Sequence, residues 1–423
     1  MIAQYSVTNY RSILERQTLS FLTTSERANR DLYAVEVRPG VFVNKLALFF
    51  GSNASGKTNM LKALESLFLL MTVPSASKQS PILHYVPFAL NDTQPTVMEV
   101  DFYVKGVKYH YEVEYNATTI LREELWYSPE SRLARFYVRH FISDSVQPSI
   151  DFGNSLKLSS KTKRAILEAT FNNSTVLSSV ARISLDENAR PLLDLYEWTS
   201  KYVHTVSSEE RVRSTATEFG KINSDKRLKQ FYVQMLAKAD FNITNFHLVD
   251  NSDNLTAAQL AKLLEDKNVS EEQRINLLNK VVFTNHSAKG DFDVELDLQS
   301  QGTLRFIDLL NTLYKMIEHN HIFFLDELGN RMHYDLLLYY ITIFLYNSDA
   351  SQLFFTTQSI LLLDEDFIRR DIVYLAEKDT ESASTTYTRV SDMGLHKNLS
   401  LYNAYRIGRL GSKPNVASPY ISI

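Results

Sequence analysis

The chain has 423 residues, of which 44% are hydrophobic and 22% are charged, and its formal net charge is −4. This composition predicts folded globular domains, and the near-neutral charge argues against a protein that coats nucleic acid. Cysteine is absent, which excludes disulfides and cysteine-based zinc sites. The polar N-terminus is unlike a signal peptide and the apolar runs are too short to cross a bilayer, so we expect a soluble cytoplasmic protein.

The first 150 residues are rich in segments typical of strands. LALFF (46–50) is a continuous apolar run. Residues 97–115 alternate apolar and polar side chains and break at Lys105-Gly106, which predicts a hairpin. Between about residues 155 and 282, apolar residues recur three and four positions apart, as they do on amphipathic helices.

From about residue 290 the pattern alternates between strands and helices, with helices predicted at 304–319 and 333–347. Such an order favours a mostly parallel sheet covered by helices. We therefore predict the α/β class. One domain would be built from residues 1–150 and 286–423, and a helical insertion at 151–285 would interrupt it.

The strongest motif is GSNASGKT, which follows the apolar run LALFF and precedes an amphipathic helical segment. It matches the phosphate-binding loop G-x-x-x-x-G-K-[ST], whose backbone N–H groups surround phosphates at a helix N-terminus. Lys57 would reach the outer phosphates of ATP and Thr58 would bind Mg²⁺. A chance Gly/Ser-rich turn is the alternative. The predicted nucleotide-binding residues are Gly51, Asn53, Ala54, Ser55, Gly56, Lys57, Thr58 and Asn59.

Two adjacent acids end a second apolar strand, HIFFLDELGN (321–330). Asp326 at the strand end suits Mg²⁺ ligation beside Thr58, and Glu327 could take a proton from water attacking the outer phosphate. The alternative is an ordinary surface Asp-Glu turn. Because no kinase-type catalytic loop is visible, the pair favours ATP hydrolysis over phosphoryl transfer to another substrate.

The order of these motifs resembles a known family. Asn9-Tyr10-Arg11-Ser12, GSNASGKTN, QSQGTLRF (299–306), FLDELGNRMH (324–333) and LFFTTQS (353–359) occur in this order. Together they resemble ABC-type ATPases of the SMC, RecF and OLD branch, which includes AAA-type ATP-binding proteins of bacterial phage-defence and restriction islands. The resemblance implies an ABC-type ATPase head, a phosphate-loop mixed sheet with covering helices.

The resemblance also implies contacts between two subunits. Ser300, Gly302 and Thr303 lie where the family carries its signature, which contacts ATP bound by the other subunit and makes a homodimer when ATP binds. A plain helix cap is the alternative for these residues. Arg11 corresponds to a position near the nucleotide, or is a solvated arginine. His333 corresponds to a histidine near the dimer contact, or simply begins a helix.

Two glutamines complete the implied site. Gln94 is the nearest candidate for the glutamine that touches Mg²⁺ in the family. Gln358 replaces the histidine that usually follows the Thr-Thr pair and reaches the attacking water. A glutamine side chain can donate and accept hydrogen bonds but cannot carry a proton. We therefore expect slow hydrolysis, with Glu327 as general base and Gln358 positioning the water.

The remaining segments show no effector chemistry of their own. After Gln358, the acids near a predicted sheet-edge strand (372–376) lack the convergent pattern of a two-metal nuclease. Together with the family resemblance, this makes a separate nuclease or toxin partner, controlled in bacterial anti-phage defence, the first hypothesis. Arg406, Arg409 and Lys413 could form a DNA surface or a solvated tail. A RecF/SMC-like DNA repair ATPase and an ATP-locked scaffold with very slow hydrolysis are the alternatives.

Overall fold

The computed structural model describes residues 1–25, 28–129, 132–143, 145, 147–154, 157–185, 187–206, 215–239, 241–259, 263, 269–396 and 398–411. The strands are β1 (Ile2–Thr8), β2 (Gln17–Ser20), β3 (Ala34–Arg38), β4 (Val41–Asn44), β5 (Leu46–Phe50), β6 (Thr96–Val104), β7 (Val107–Tyr115), β8 (Ile120–Ser128), β9 (Ala134–His140), β10 (Ser149–Phe152), β11 (Val203–Val206), β12 (Ile243–Asp250), β13 (Asn279–Ser287), β14 (Gly290–Glu295), β15 (Ile322–Leu325), β16 (Gln352–Thr356), β17 (Val373–Lys378) and β18 (Thr385–Arg389). The helices are α1 (Arg30–Tyr33), α2 (Lys57–Thr72), α3 (Ser160–Ala169), α4 (Val176–Ser179), α5 (Arg190–Tyr202), α6 (Ala216–Ser224), α7 (Lys226–Lys238), α8 (Glu271–Leu278), α9 (Gln301–His319), α10 (Tyr334–Asn347) and α11 (Leu401–Arg406).

The chain divides into two compact units. The first comprises Met1–Val206, Asn320–Leu328 and Asp349–Ile423, and the second comprises Ser207–His319 and Gly329–Ser348. These limits differ from the predicted insertion at 151–285, because helices α3 to α5 and strand β11 pack within the first unit. Among the described residues, no helix combines the length and hydropathy that a membrane span needs.

A six-stranded sheet carries the phosphate-loop strand of the first unit. Its order is β11-β15-β16-β5-β17-β18, and all neighbouring pairs are parallel except β17 with β18. Every residue of β5, β15 and β16 is buried, as expected for strands covered on both faces. The predicted α/β class is confirmed. The strand predicted at the sheet edge (372–376) is not an edge strand, because β18 pairs with its free side.

This strand order decides which loops meet. β15, β16 and β5 are parallel neighbours, with Leu325 opposite Phe355 and Thr356 opposite Phe49. The carboxyl ends of parallel neighbours lie at the same edge of a sheet, where α/β folds bind their ligands. The segments beginning at Gly51, Asp326 and Thr357 therefore lie side by side, although they are far apart in sequence.

A seven-stranded sheet of the order β10-β9-β8-β7-β6-β1-β2 forms the other large layer of the first unit. Its pairs are antiparallel, and buried and half-exposed residues alternate along β6 and β7. Lys105 and Gly106 between these strands have φ values of 49° and 81°. Positive φ at both central residues is typical of a two-residue hairpin turn, so the predicted hairpin is confirmed.

A buried glutamine joins strands of the two large sheets of the first unit. Gln352, at the start of β16, is 0% exposed. Its Oε1 accepts a hydrogen bond from Ile2 N at 2.5 Å, and its Nε2 donates to Ile2 O at 2.9 Å and Asn44 O at 3.0 Å. The amide thereby satisfies its donors and acceptor without water, which a buried polar side chain requires.

The second unit combines helices with a small sheet. Strands β12, β13 and β14 form an antiparallel sheet, so the segment predicted as wholly helical contains strands as well. Phe219 of α6 packs at ring-centroid distances of 5.1 Å from Phe246, 5.6 Å from Phe283 and 6.4 Å from Tyr232. These aromatic rings form a core between the helices and the sheet of this unit.

A buried ion pair connects early and late segments of the first unit. Asp371 is 0% exposed and Arg369 is 3% exposed, and the guanidinium contacts both carboxylate oxygens at 2.9 and 2.6 Å. Thr24 N donates to the same carboxylate at 3.2 Å, and Arg389 lies 3.8 Å away. Burial raises the pKa of Asp371, but the hydrogen bond and charge of Arg369 outweigh it, so the pKa lies below its ordinary value.

Replacing Asp371 with asparagine should lower the free energy of unfolding by about 3–5 kcal/mol at pH 7, because Arg369 would stay buried without its counter-charge. A lowered carboxyl pKa stabilises the fold above the unfolded value of 3.8 and loses this effect as the pH falls through the folded value. Urea unfolding at pH 7 and near pH 3 should therefore show a smaller difference between variant and wild type in acid.

Asp151→Asn is the matched control, since its ion pair with Arg135 (2.9 Å) is largely exposed. Such surface pairs stabilise proteins by less than about 1 kcal/mol. Equal losses of stability in the two variants at pH 7 would contradict the role given to Asp371.

Candidate functional site

The loop between β5 and α2 is closely packed at its two outer glycines. A Cβ on Gly51 would lie 2.5 Å from Ala376 O and from Ser55 Oγ. Gly56, the N-cap of α2, has φ 97°, and a Cβ there would lie 2.4 Å from Thr385 Oγ1. Both positions therefore exclude side chains, as the close backbone approach of a phosphate-binding loop requires.

Lys57 folds back over this loop. Its Nζ donates to Gly51 O and Ser52 O, at 2.7 Å each, and the residue is buried. Burial lowers the pKa of Lys57, while the charges of Glu327 and Asp326 raise it again in part. The ammonium is thus held at the first turn of the loop, where outer phosphates would take the place of carbonyl oxygens.

Asp326 connects the helix start with the neighbouring strand end. Thr58 Oγ1 donates to the two carboxylate oxygens of Asp326 at 3.0 and 3.1 Å. Thr356 Oγ1, at the end of β16, donates to Asp326 Oδ1 at 2.5 Å. The predicted pair of Thr58 and Asp326 is therefore in direct contact, and Thr356 orients the carboxylate.

Glu327 has an unusual backbone conformation. Its φ is 51°, in the left-handed region that a side chain adopts at an energetic cost. Its N–H donates to Thr356 Oγ1 at 2.8 Å, and its Oε1 accepts a hydrogen bond from Gln358 Nε2 at 2.9 Å. The structure thus brings together the two residues predicted to act on the attacking water.

A chain of hydrogen bonds connects the phosphate loop to the segment of Ser12 and to strand β18. Asn59 Nδ2 donates to Ser12 Oγ at 2.7 Å, and Ser12 Oγ lies 2.7 Å from Thr385 Oγ1. Thr385 Oγ1 donates to Ser55 O at 2.9 Å. Since the threonine proton is used on Ser55, the serine donates to the threonine. These hydrogen bonds fix the helical end of the loop in place.

The residues present fit a nucleotide with a magnesium ion. Thr58 and Asp326 offer oxygen ligands, which Mg²⁺ prefers. Ser55 Oγ is buried within the loop without a hydrogen-bond partner, as expected of a group that a ligand would satisfy. A cavity of about 450 Å³ opens beside the loop and is lined by Gly51, Ser52, Asn53, Thr357 and Gln358 among others.

Residues 46–364 match the family model described as "AAA domain, putative AbiEii toxin, Type IV TA system". The chain belongs to this family of AAA domains. A comparison with curated proteins found no match.

Solved structures similar to this AAA domain include SMC heads. The SMC head domain from Thermotoga maritima is 11% identical with a TM-score of 0.43, over 92% of this chain and 98% of that chain. An SMC head bound to the C-terminal winged-helix domain of ScpA is 9% identical with a TM-score of 0.44, over 95% and 99%. An SMC head with an extended coiled coil, bound to the C-terminal domain of ScpA derived from Pyrococcus furiosus, is 11% identical with a TM-score of 0.36, over 97% and 99%.

The predicted signature residues of the AAA domain lie in the second unit. Ser300 Oγ accepts a hydrogen bond from Thr303 N at 3.1 Å and lies 2.9 Å from Thr303 Oγ1, so Ser300 caps helix α9. A Cβ on Gly302 would lie 3.2 Å from Arg331 O. His333 is exposed and caps helix α10. The plain cap predicted as the alternative is present, and the contact with a second subunit stays a prediction.

Two further predicted residues contact neighbours outside the phosphate loop. Arg11 Nε donates to the Tyr10 hydroxyl at 3.3 Å, whereas the next residue, Ser12, contacts the phosphate loop through Asn59. Gln94 is exposed, and its backbone carbonyl accepts a hydrogen bond from Asn9 Nδ2 at 2.8 Å. The proposed nucleotide contacts of Arg11 and Gln94 stay predictions.

The sequence did not predict several residues of the AAA domain that hold the phosphate loop and the acids in place. Ser12 and Thr356 lie within two of the predicted motifs, close in sequence to Arg11 and Gln358. That position could have identified them as site residues. Thr385 and Tyr387 belong to β18, which carries no motif, and Tyr387 OH donates to Gly56 O at 2.6 Å. Only the pairing of β18 with β17 brings them to the loop.

Gly56→Ala should lower ATP affinity at least about tenfold, because the new Cβ would displace Thr385 and the loop at a positive φ. Gly40→Ala is the matched control. Gly40 also has a positive φ (77°) but nothing lies within 4 Å of its added Cβ, so this change should lower stability by about 1 kcal/mol and leave ATP affinity intact. Calorimetric titration with ATP checks both, and equal affinities for the two variants would contradict the steric argument.

Proposed function

We propose that this AAA domain binds ATP with Mg²⁺ and hydrolyses the nucleotide slowly. The observation that supports this most directly is the contact of Thr58 with Asp326, beside the hydrogen bond of Gln358 to Glu327. Four groups from three separate segments meet at the carboxyl ends of the parallel strands β5, β15 and β16. Groups of these types bind Mg²⁺ and position water in nucleotide hydrolysis.

Each group has a distinct role in the proposed reaction. Lys57 would exchange its two carbonyl contacts for oxygens of the outer phosphates. Thr58 and Asp326 would hold Mg²⁺, which when bound neutralises phosphate charge. Glu327 Oε accepts a proton from the attacking water, and the hydroxyl of Thr356 orients both acids.

Gln358 explains why hydrolysis would be slow. Its amide donates to Glu327 Oε1 at 2.9 Å, so it orients the carboxylate of the proposed general base. An amide has no titratable proton to deliver and cannot become cationic beside the phosphate. It therefore positions water without adding charge stabilisation in the transition state.

ATP binding would also join two copies of the chain. The loop of one copy and Ser300–Thr303 of the other would hold the same nucleotide. The Ser300 cap leaves the positive end of the 19-residue helix α9 available for an outer phosphate. ATP would select the associated state and hydrolysis would release it.

The proposed output is control of a separate effector, a nuclease or toxin, in bacterial anti-phage defence. The family description names a toxin and a toxin–antitoxin system, and the sequence after Gln358 lacks the pattern of a two-metal nuclease. An ATP-locked scaffold is the second candidate, which the restrained Glu327–Gln358 pair favours. In that case turnover would be negligible and ATP would stay bound intact.

Glu327→Gln should reduce ATP turnover at least about 100-fold, as expected when a general base is removed. ATP binding should persist, and the dimer that forms with ATP should last longer, so the solution mass should stay raised. Phosphate release and light scattering, with and without ATP, measure both quantities. Glu381→Gln, at an exposed turn, is the control. A wild type that neither binds ATP nor changes mass with it would refute the proposal.

Gln358→Ala should lower the turnover rate about tenfold, the expected effect of losing one positioning hydrogen bond. Gln358→His should leave turnover unchanged or raise it, because imidazole can contact both the water and the phosphate. Steady-state ATP turnover at saturating ATP separates these effects from changes in affinity. If the alanine variant is as fast as wild type, Gln358 does not act in the site.

A further inference from the structure

The C-terminal helix of the first unit borders the phosphate-loop cavity. Tyr405 and Arg406, the last two residues of α11, line the same cavity as Gly51, Ser52 and Gln358. Tyr405 is buried, and Arg406 is exposed with its guanidinium carbon 5.5 Å from the Tyr402 ring centroid. An arginine therefore borders the phosphate-loop cavity, and neither the motifs nor the proposed reaction use it.

The segment before α11 is held in place by one arginine. The Arg370 guanidinium donates to the carbonyl oxygens of Leu395 at 3.2 Å, His396 at 3.0 Å and Leu399 at 2.8 Å. The side chain of Leu401 is buried at the start of the helix. These contacts anchor the segment that leads into α11, whose N-cap is Ser400.

The segment after α11 is held as well. Arg409 N donates to Ala404 O at 2.9 Å, and Leu410 is 3% exposed. Gly411 lies so close to Glu377, at the end of β17, that an added Cβ would be 2.5 Å from its carboxylate. Both flanks of α11 are thus anchored, which fixes the backbone of the helix beside the cavity.

The cavity faces the outer-phosphate end of a bound nucleotide. Lys57 Nζ, which would reach the outer phosphates, lies 2.7 Å from the carbonyl oxygens of Gly51 and Ser52. On the other side, Gln358 contacts Glu327, the proposed general base. A ligand group between these residues would be the last phosphate of ATP rather than its base or ribose.

A further cation at this end of the cavity would favour ATP over ADP. ATP brings one more phosphate to this end than ADP does. A guanidinium forms charge-assisted, often bidentate hydrogen bonds with phosphate oxygens, and Arg406 is placed to supply one from within the same chain.

We propose that Arg406 binds the outer phosphate of ATP in the cavity between the phosphate loop and α11, so that the C-terminal helix distinguishes ATP from ADP. This inference rests on the proposed ATP-binding function. Binding of the outer phosphate would restrain α11 and its anchored flanks. Loss of that phosphate after hydrolysis would release Arg406, which couples the C-terminal segment to the nucleotide state.

The test compares affinities for a non-hydrolysable ATP analogue and for ADP, each with Mg²⁺, by calorimetric titration. Arg406→Ala should weaken binding of the ATP analogue about tenfold and leave ADP binding unchanged, as expected for one lost charge-assisted contact. Arg406→Lys should fall between the alanine variant and wild type. Asn403→Ala, an exposed position on the same helix, is the control and should match wild type.

The outcomes separate this inference from the proposed function. If wild type binds neither nucleotide, ATP binding itself is refuted. If wild type binds both but Arg406→Ala keeps the wild-type ratio of the two affinities, the role of Arg406 is refuted and ATP binding stands. An equal loss of affinity for both nucleotides also refutes it. A lowered melting temperature would then show that the packing of α11 is disrupted.

Discussion

The hydrogen bond from Thr58 to Asp326 is the contact on which the site depends. It joins the first turn of α2 to the end of β15 at 3.0 Å, although one strand, β16, lies between β15 and β5. The loop, the acids and Thr356 can meet only because all three strands run parallel and end at one edge. Any shift in their register would separate the predicted metal ligands.

The acidic turn after β15 combines strain with restraint. Glu327 occupies the left-handed region, and hydrogen bonds to its backbone N–H and its carboxylate hold it there. Strain of this kind persists where the surroundings over-determine it, commonly at functional sites. Under the proposed function, the hydrogen bond from Gln358 orients the carboxylate that would take the proton from water.

Support for the loop comes from segments distant in sequence. Ser12 lies near one end of the chain and Thr385 near the other, and they contact each other at 2.7 Å behind the loop. The buried Gln352 and the Arg369–Asp371 pair make further connections between early and late segments. Polar groups this deeply buried are stabilising only when fully paired, so they also specify which strands become neighbours.

Local signals in the sequence were enough to predict the phosphate loop, the acid pair at 326–327, the hairpin at Lys105-Gly106 and the α/β class, because each depends on residues adjacent in the chain. Strands β12 and β13 lie in or at the end of the stretch predicted as helical, and neither ITNFHLVD nor NKVVFTNHS alternates regularly between apolar and polar residues. Tertiary structure alone decided that β18 covers β17, that Gln358 touches Glu327 and that Arg406 borders the loop. These contacts arise from pairing between distant segments, whose energy no local pattern encodes.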